Sequence, residues 1–151
     1  MPGPLPSEII ADYLTALRAA TEFSGVSIRR GPIQALRLGA HTAAIVVELG
    51  ELVGGEESRG SGNTWTHTWA LAVTLLVPDD PDDPDAAEDA RLDLLDTWLE
   101  WQGELQQRCM AAAKVGVITK ATPLLVTVTA DTEQLYRAVE CTVTYKALRS
   151  G

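Results

Sequence analysis

Long apolar runs are missing from this sequence, and so are most of the residues that usually carry chemistry. No run approaches the roughly 20 apolar residues a membrane-spanning helix needs, so no such span is predicted. Histidine and cysteine number two each. His41 and His67 have no Cys/His companion at ligand spacing, whereas zinc takes four protein ligands, or three and a water. Cys109 and Cys141 fall in a predicted helix and a predicted strand, where free thiols behave as small core residues, and a reducing compartment is expected. A disulfide between them needs close, aligned Cα positions that spacing alone does not establish. The opening MPGPLPSE has neither the basic segment nor the apolar stretch of a secretory signal. Basic residues are in deficit: 12 Lys and Arg stand against 21 Asp and Glu, for a formal net charge of -9 and a pI near 4.6. A free-standing binder of nucleic-acid phosphates carries the opposite balance.

Catalytic motifs are equally scarce. The glycine-rich stretch Gly54 to Gly62 contains no GxxxxGK[ST] and leads into a strand pattern, so it is not read as a phosphate cradle. No GxSxG is present. The run PDDPDDPD, Pro78 to Asp85, lacks the alternating ligands and central glycine of an EF-hand loop, and its prolines hold the carboxylates apart. It reads as a solvated lead into a helix. No catalytic, cofactor-binding or metal-binding residue is assigned, and the chain is read as a non-enzyme.

What remains is a chain of 151 residues, 46% of them hydrophobic, enough for one domain with a real core. It is organised around Thr64 to Val77, TWTHTWALAVTLLV. With a period of two, Trp65, His67, Trp69, Leu71, Val73, Leu75 and Val77 share one face, and a Thr/Ala row the other. At about 3.3 Å per residue such a strand reaches roughly 45 Å, longer than a small domain needs. Ala43 to Val53 reads as its partner, with Gly50 as a bulge or bend. Gly54 to Asn63 reads as a mobile loop at the tip of a long projecting hairpin.

The rest falls into order around that hairpin. Met1 to Pro6 reads as an extended arm; Ser7 is placed as the cap of a helix whose stripe is Ile10, Tyr13, Leu14, Leu17 and Ala20, ended by Gly25. Val26 to Arg29 alternates and closes at Gly31-Pro32, and Ile33 to Leu38 fits a loop or a short strand. Asp85 with Glu88 matches a capping box opening a second helix to about Ala113, with Leu92, Leu95, Leu99 and Cys109 as its buried stripe and Trp98 and Leu105 beside it. Trp98 and Trp101, at i, i+3, are candidates for a helical patch or for the core. Val115 to Thr119 suggests a short strand, Leu124 to Ala130 a clearer one, and Leu135 to Leu148 the closing strand. The fold class is α+β, with two helices on one face of a mostly antiparallel sheet.

This layout resembles the tail terminator (tail completion) proteins of long-tailed bacteriophages, of the kind called minor tail protein U. The resemblance lies in element order and length over nearly the whole chain. It takes in the opening helix (Ile9 to Thr21), the strand and glycine turn (Val26 to Gly31), the long hairpin (Ala43 to Val77), the Asp/Pro break, the second helix (Ala86 to Ala113) and the closing strand pair (Leu124 to Leu148). It implies a virion structural protein, assembled in the host cytoplasm, that forms a ring, typically of six subunits. Such a ring caps the tail tube, ends its polymerisation and docks the head–tail connector or neck, while DNA passes through an acidic lumen without specific binding. It needs no cofactor and no membrane. On this reading the hairpin supplies the subunit and tube contacts, with Gly54, Glu56, Glu57, Arg59, Asn63, Trp65, His67 and Trp69 as candidate interface residues. The alternatives are another head–tail connector, a stopper or head-completion protein, and, from a different class, a small-molecule binding module or enzyme.

Overall fold

The computed structural model describes residues 6–58, 64–106, 117–128 and 134–150. Two helices, α1 (Pro6–Ala19) and α2 (Pro84–Gln106), cover one face of a five-stranded sheet. The strands are β1 (Val26–Arg30), β2 (Ala43–Ser58), β3 (Thr64–Pro78), β4 (Val117–Val128) and β5 (Gln134–Ser150). Their order is β1-β2-β3-β5-β4, with β1 parallel to β2 and every other pairing antiparallel. The α+β class is as expected.

The organising strand holds the centre. From Leu71 onward its alternation is obeyed: Leu71, Val73, Leu75 and Val77 are buried under the helices, together with Ile45 and Val47 from β2 and Val139, Cys141 and Val143 from β5. On the reverse face, Leu76 joins Ala44, Val46, Tyr136, Ala138 and Val128 under Leu36, which a 3₁₀ turn at Ile33–Ala35 carries across the sheet. The segment left open between loop and strand is therefore a turn that roofs the second face.

Several boundaries move, for identifiable reasons. Strand β2 runs to Ser58, so Gly54 to Ser58 belong to the ladder rather than to a mobile loop; residues 59–63 lie outside the described residues. Helix α1 begins at Pro6, which places Ser7 inside it rather than at its cap. At α2 the cap is Asp83, whose Oδ1 accepts the Ala86 amide at 3.1 Å, and Pro84 takes the first helical position, where its missing N–H costs nothing. Glu88 is thereby released from a capping box and turns to arginines instead. Strand β4 merges the two short strands expected at 115–119 and 124–130 into one, and Cys109 lies outside the described residues.

Gly50 sits where the β2–β3 register slips between Leu49 and Leu52. A Cβ there would stand 2.9 Å from the Ala70 carbonyl oxygen, so only glycine lets the two strands close at the bulge. Helix α1 stops at Ala19 and a 3₁₀ turn, Thr21–Phe23, follows it, so Gly25, at φ +83° in the left-handed region open to glycine, turns the chain into β1 rather than ending the helix.

Candidate interaction surface

The two helices are locked together by aromatic residues. Trp98 is fully buried and Trp101 nearly so, which makes the i, i+3 pair core rather than patch. The Trp98 indole N–H donates to Tyr13 Oη at 3.0 Å, and that hydroxyl donates to Oε1 of buried Gln102 at 2.7 Å. Trp101 meets Tyr13 and Phe23 edge-on, at centroid distances of 5.5 and 5.6 Å. Each indole brings about 150–250 Å² of surface to bury, more than any leucine of α2. That difference decides the rotation of the helix.

The consequence is a correction to its buried stripe. The inward positions are Ala87, Leu94, Trp98, Trp101 and Gln102, with Leu95 half-buried beside them. Leu92 and Leu99, expected inside, are 46% and 39% exposed. They run along one flank of the outer face, beside a row made by Asp85, Asp89, Asp96 and Glu100, with Asp93 at its far margin. No cation pairs with these five carboxylates among the described residues. Asp89–Asp93, Asp93–Asp96 and Asp96–Glu100 are like-charge neighbours at i, i+4 or i, i+3, each costing the helix about 0.2–0.5 kcal/mol. Residues 79–104 hold eleven acids and one base, Arg91, so this segment alone outweighs the chain's net charge of -9.

Arg91 is already engaged. Its Nη2 lies 2.6 Å from Glu88 Oε2, and Glu88 also receives Arg137 Nη1 at 3.0 Å, while Arg137 Nε reaches Asp79 Oδ1 at 2.7 Å. This clasp joins the end of β3, the first turns of α2 and β5. The Arg91 hydrogen bond, and then that of Arg137, hold the Glu88 carboxyl below its ordinary value. Asp79 and Glu88 raise the Arg137 guanidinium above its own.

Both sheet edges are blunted. On β1, Arg18 Nη2 donates to the Ile28 carbonyl at 3.2 Å and Arg29 Nε to that of Arg30 at 3.0 Å, while Arg29 Nη1 holds the Ala35 carbonyl at 2.6 Å. On β4, Pro123 interrupts the edge and Gln34 Nε2 donates to the Thr127 carbonyl at 3.0 Å. Strand addition is thus discouraged at both sides, and a partner is better met by side chains.

The residues expected at the interface are partly brought together. Gly54, Glu56 and Glu57 of β2 pair with Thr68, Thr66 and Trp65 of β3. Trp65, His67 and Trp69 are in turn opposite Arg149, Ala147 and Tyr145 of β5, so this end of β3 is flanked on both sides and is not a two-stranded hairpin. Trp69 is half-buried; the side chains of Glu56, Glu57, Trp65 and His67, and all of Arg59 and Asn63, lie outside the described ones. Sequence reasoning missed Leu92, Leu99 and the acidic row. Their i, i+3, i+4 spacing was visible, but three leucines at helical spacing read as core until the tryptophans claimed the inward side.

A cleft of about 380 Å³ lies between the start of α1 and the β1–β2 end, lined by Ser7, Ile10, Arg30, Gly31, Glu48 and Leu49. Among the described residues no group of three or more His, Cys, Asp or Glu side chains is placed to hold a metal ion, and no helix is long and apolar enough to cross a membrane. No protein-family model matches the chain, and no curated protein matches it significantly.

Proposed function

We propose that this protein is a structural component of a phage tail: a ring-forming terminator that caps the tail tube, ends its polymerisation and presents a surface to the head–tail connector. The observation that carries the reading is the element order, in which a helix-covered mixed sheet has its two longest strand pairings, β2–β3 and β3–β5, running together to Ser58, Thr64 and Ser150. Strands of 15–17 residues exceed the common five or six, and their far end is where a neighbouring subunit or tube would be met. The charge supports the same reading. A surplus of -9 per subunit, repeated around a ring, repels the DNA backbone and lets a genome slide without sticking. On this reading the protein resides in the virion after assembly in the host cytoplasm.

The test is native mass spectrometry and negative-stain microscopy of the protein, alone and with its tail-tube protein. A closed ring seated at tube ends, with tubes of limited length, is the expected result. Tubes that grow equally long with and without the protein would reject it. Removing Gly55 to Gly62 shortens the paired end of β2 and should abolish capping while the helix-covered core stays folded by circular dichroism.

A further inference from the structure

We infer that the outer face of α2 docks head-to-tail onto the cleft beside β1 in a second copy of this chain. The contact stands on the distribution of charge and apolar surface; only its closure into a ring rests on the reading above.

One side of the contact is the row Asp85, Asp89, Asp96 and Glu100, flanked by exposed Leu92 and Leu99. Its carboxylates repel one another along the helix and find no cation within the described residues. The only base of the segment, Arg91, is taken by Glu88. Among the described residues nothing compensates them, which leaves the row open to a cation from a second copy. Salt would screen the acids, whereas a second copy would also cover Leu92 and Leu99, which are 46% and 39% exposed.

The other side is on the same chain. Arg18 and Arg29 hold backbone carbonyls of their own fold, but Arg30 and Arg37 are exposed and make no ion pair among the described residues. Arg30 stands at the cleft whose walls are Ile10 and half-exposed Leu49, and whose Glu48 is held inward by the Ile33 amide at 3.2 Å. Leu92 and Leu99 are two helical turns apart, about 10.5 Å, with Asp96 between them. One leucine can enter the cleft while Asp96 meets Arg30.

The two surfaces lie on different elements and do not overlap, so each copy can give one and receive one. A two-fold arrangement of the α2 faces would set acid row against acid row. The charge pattern therefore selects the heterologous contact, which builds a ring where its rotation closes and a filament where it does not.

The experiment places a benzoylphenylalanine photo-crosslinker at position 99 in the full chain and irradiates a mixture of ¹⁴N- and ¹⁵N-labelled protein. Mixed-isotope cross-links to residues 7–10 or 30–49 are expected. R30E should lower their yield about fivefold or more, the scale of an exposed charge pair made repulsive, and R30E/D96R in one chain should restore it. Cross-links elsewhere, no intermolecular product, or an unchanged yield in R30E would overturn the inference. R30E protein that still forms rings at tube ends would overturn this contact and leave the ring reading standing. Cross-linking as expected without any ring would do the reverse.

Discussion

Tyr13→Phe removes one oxygen from the middle of the fold, and the structure sets the cost. That hydroxyl accepts the Trp98 indole N–H at 3.0 Å and donates to Gln102 Oε1 at 2.7 Å, with all three residues fully buried. The ring is retained, so the packing against Trp101 at 5.5 Å is unchanged. The indole N–H then loses its acceptor in a fully buried site, at about 1–3 kcal/mol, and the bond to Gln102 adds about 0.5–1.5 kcal/mol. A loss of about 1.5–4.5 kcal/mol is expected, or a fall in Tm of roughly 3–18 °C for a chain of this size. Urea denaturation at constant m measures it. A double-mutant cycle with Trp98→Phe isolates the pair, because the smaller ring's packing loss occurs in both backgrounds and cancels. A coupling below about 0.3 kcal/mol, or a Tyr13→Phe loss under about 0.5 kcal/mol, would refute the claim that this bond joins the helices.

Three further outcomes are expected. The Glu88 carboxyl is held below its ordinary value by Arg91 and then Arg137, so its contribution is present above the unfolded-state value near 4.5 and is lost as pH falls through the lower folded value. Glu88→Gln should flatten the acid limb of a urea-midpoint profile between pH 6 and 3 (roughly the carboxylate range), and a parallel downward shift at every pH would contradict the sign. Gly50→Ala should cost about 1–3 kcal/mol, since its Cβ would approach the Ala70 carbonyl oxygen to 2.9 Å; an unchanged thermal midpoint would show that the bulge relaxes freely. Burial pushes the Cys141 thiol up to about 12. In a Cys109→Ser background the folded protein should therefore resist a thiol-specific chromogenic reagent near pH 8 and react once unfolded; rapid native labelling would place Cys141 at the surface.

Much of the layout was legible because strand alternation and breaker residues act locally. Leu71 to Val77 could face the helices only in one parity, and Gly25 and Gly50 marked turning points that backbone sterics demand. The end of β2 was not legible: Gly54 to Ser58 has the composition of a loop, and it becomes strand because β3, itself held by β5, supplies a ladder to join. The Asp83 cap was hidden for a related reason. Asp83 and Asp85 are both good caps by type, and the choice depends on Pro84 taking the first turn.

By itself, then, the sequence determined the α+β class, the central strand and its parity, the lack of a long apolar run and the surplus of negative charge. These depend on periodicity and composition, which need no knowledge of distant partners. Only the tertiary structure decided that β3 lies between β2 and β5, that β1 runs parallel, and which way α2 turns. Leucine and tryptophan stripes on α2 compete for the same interior, and the contest is settled by Tyr13 and Phe23 from elsewhere in the chain, which offer Trp98 and Trp101 a hydrogen bond and two ring edges. Leu92 and Leu99 are left outside, beside the acids, because that interior was already filled.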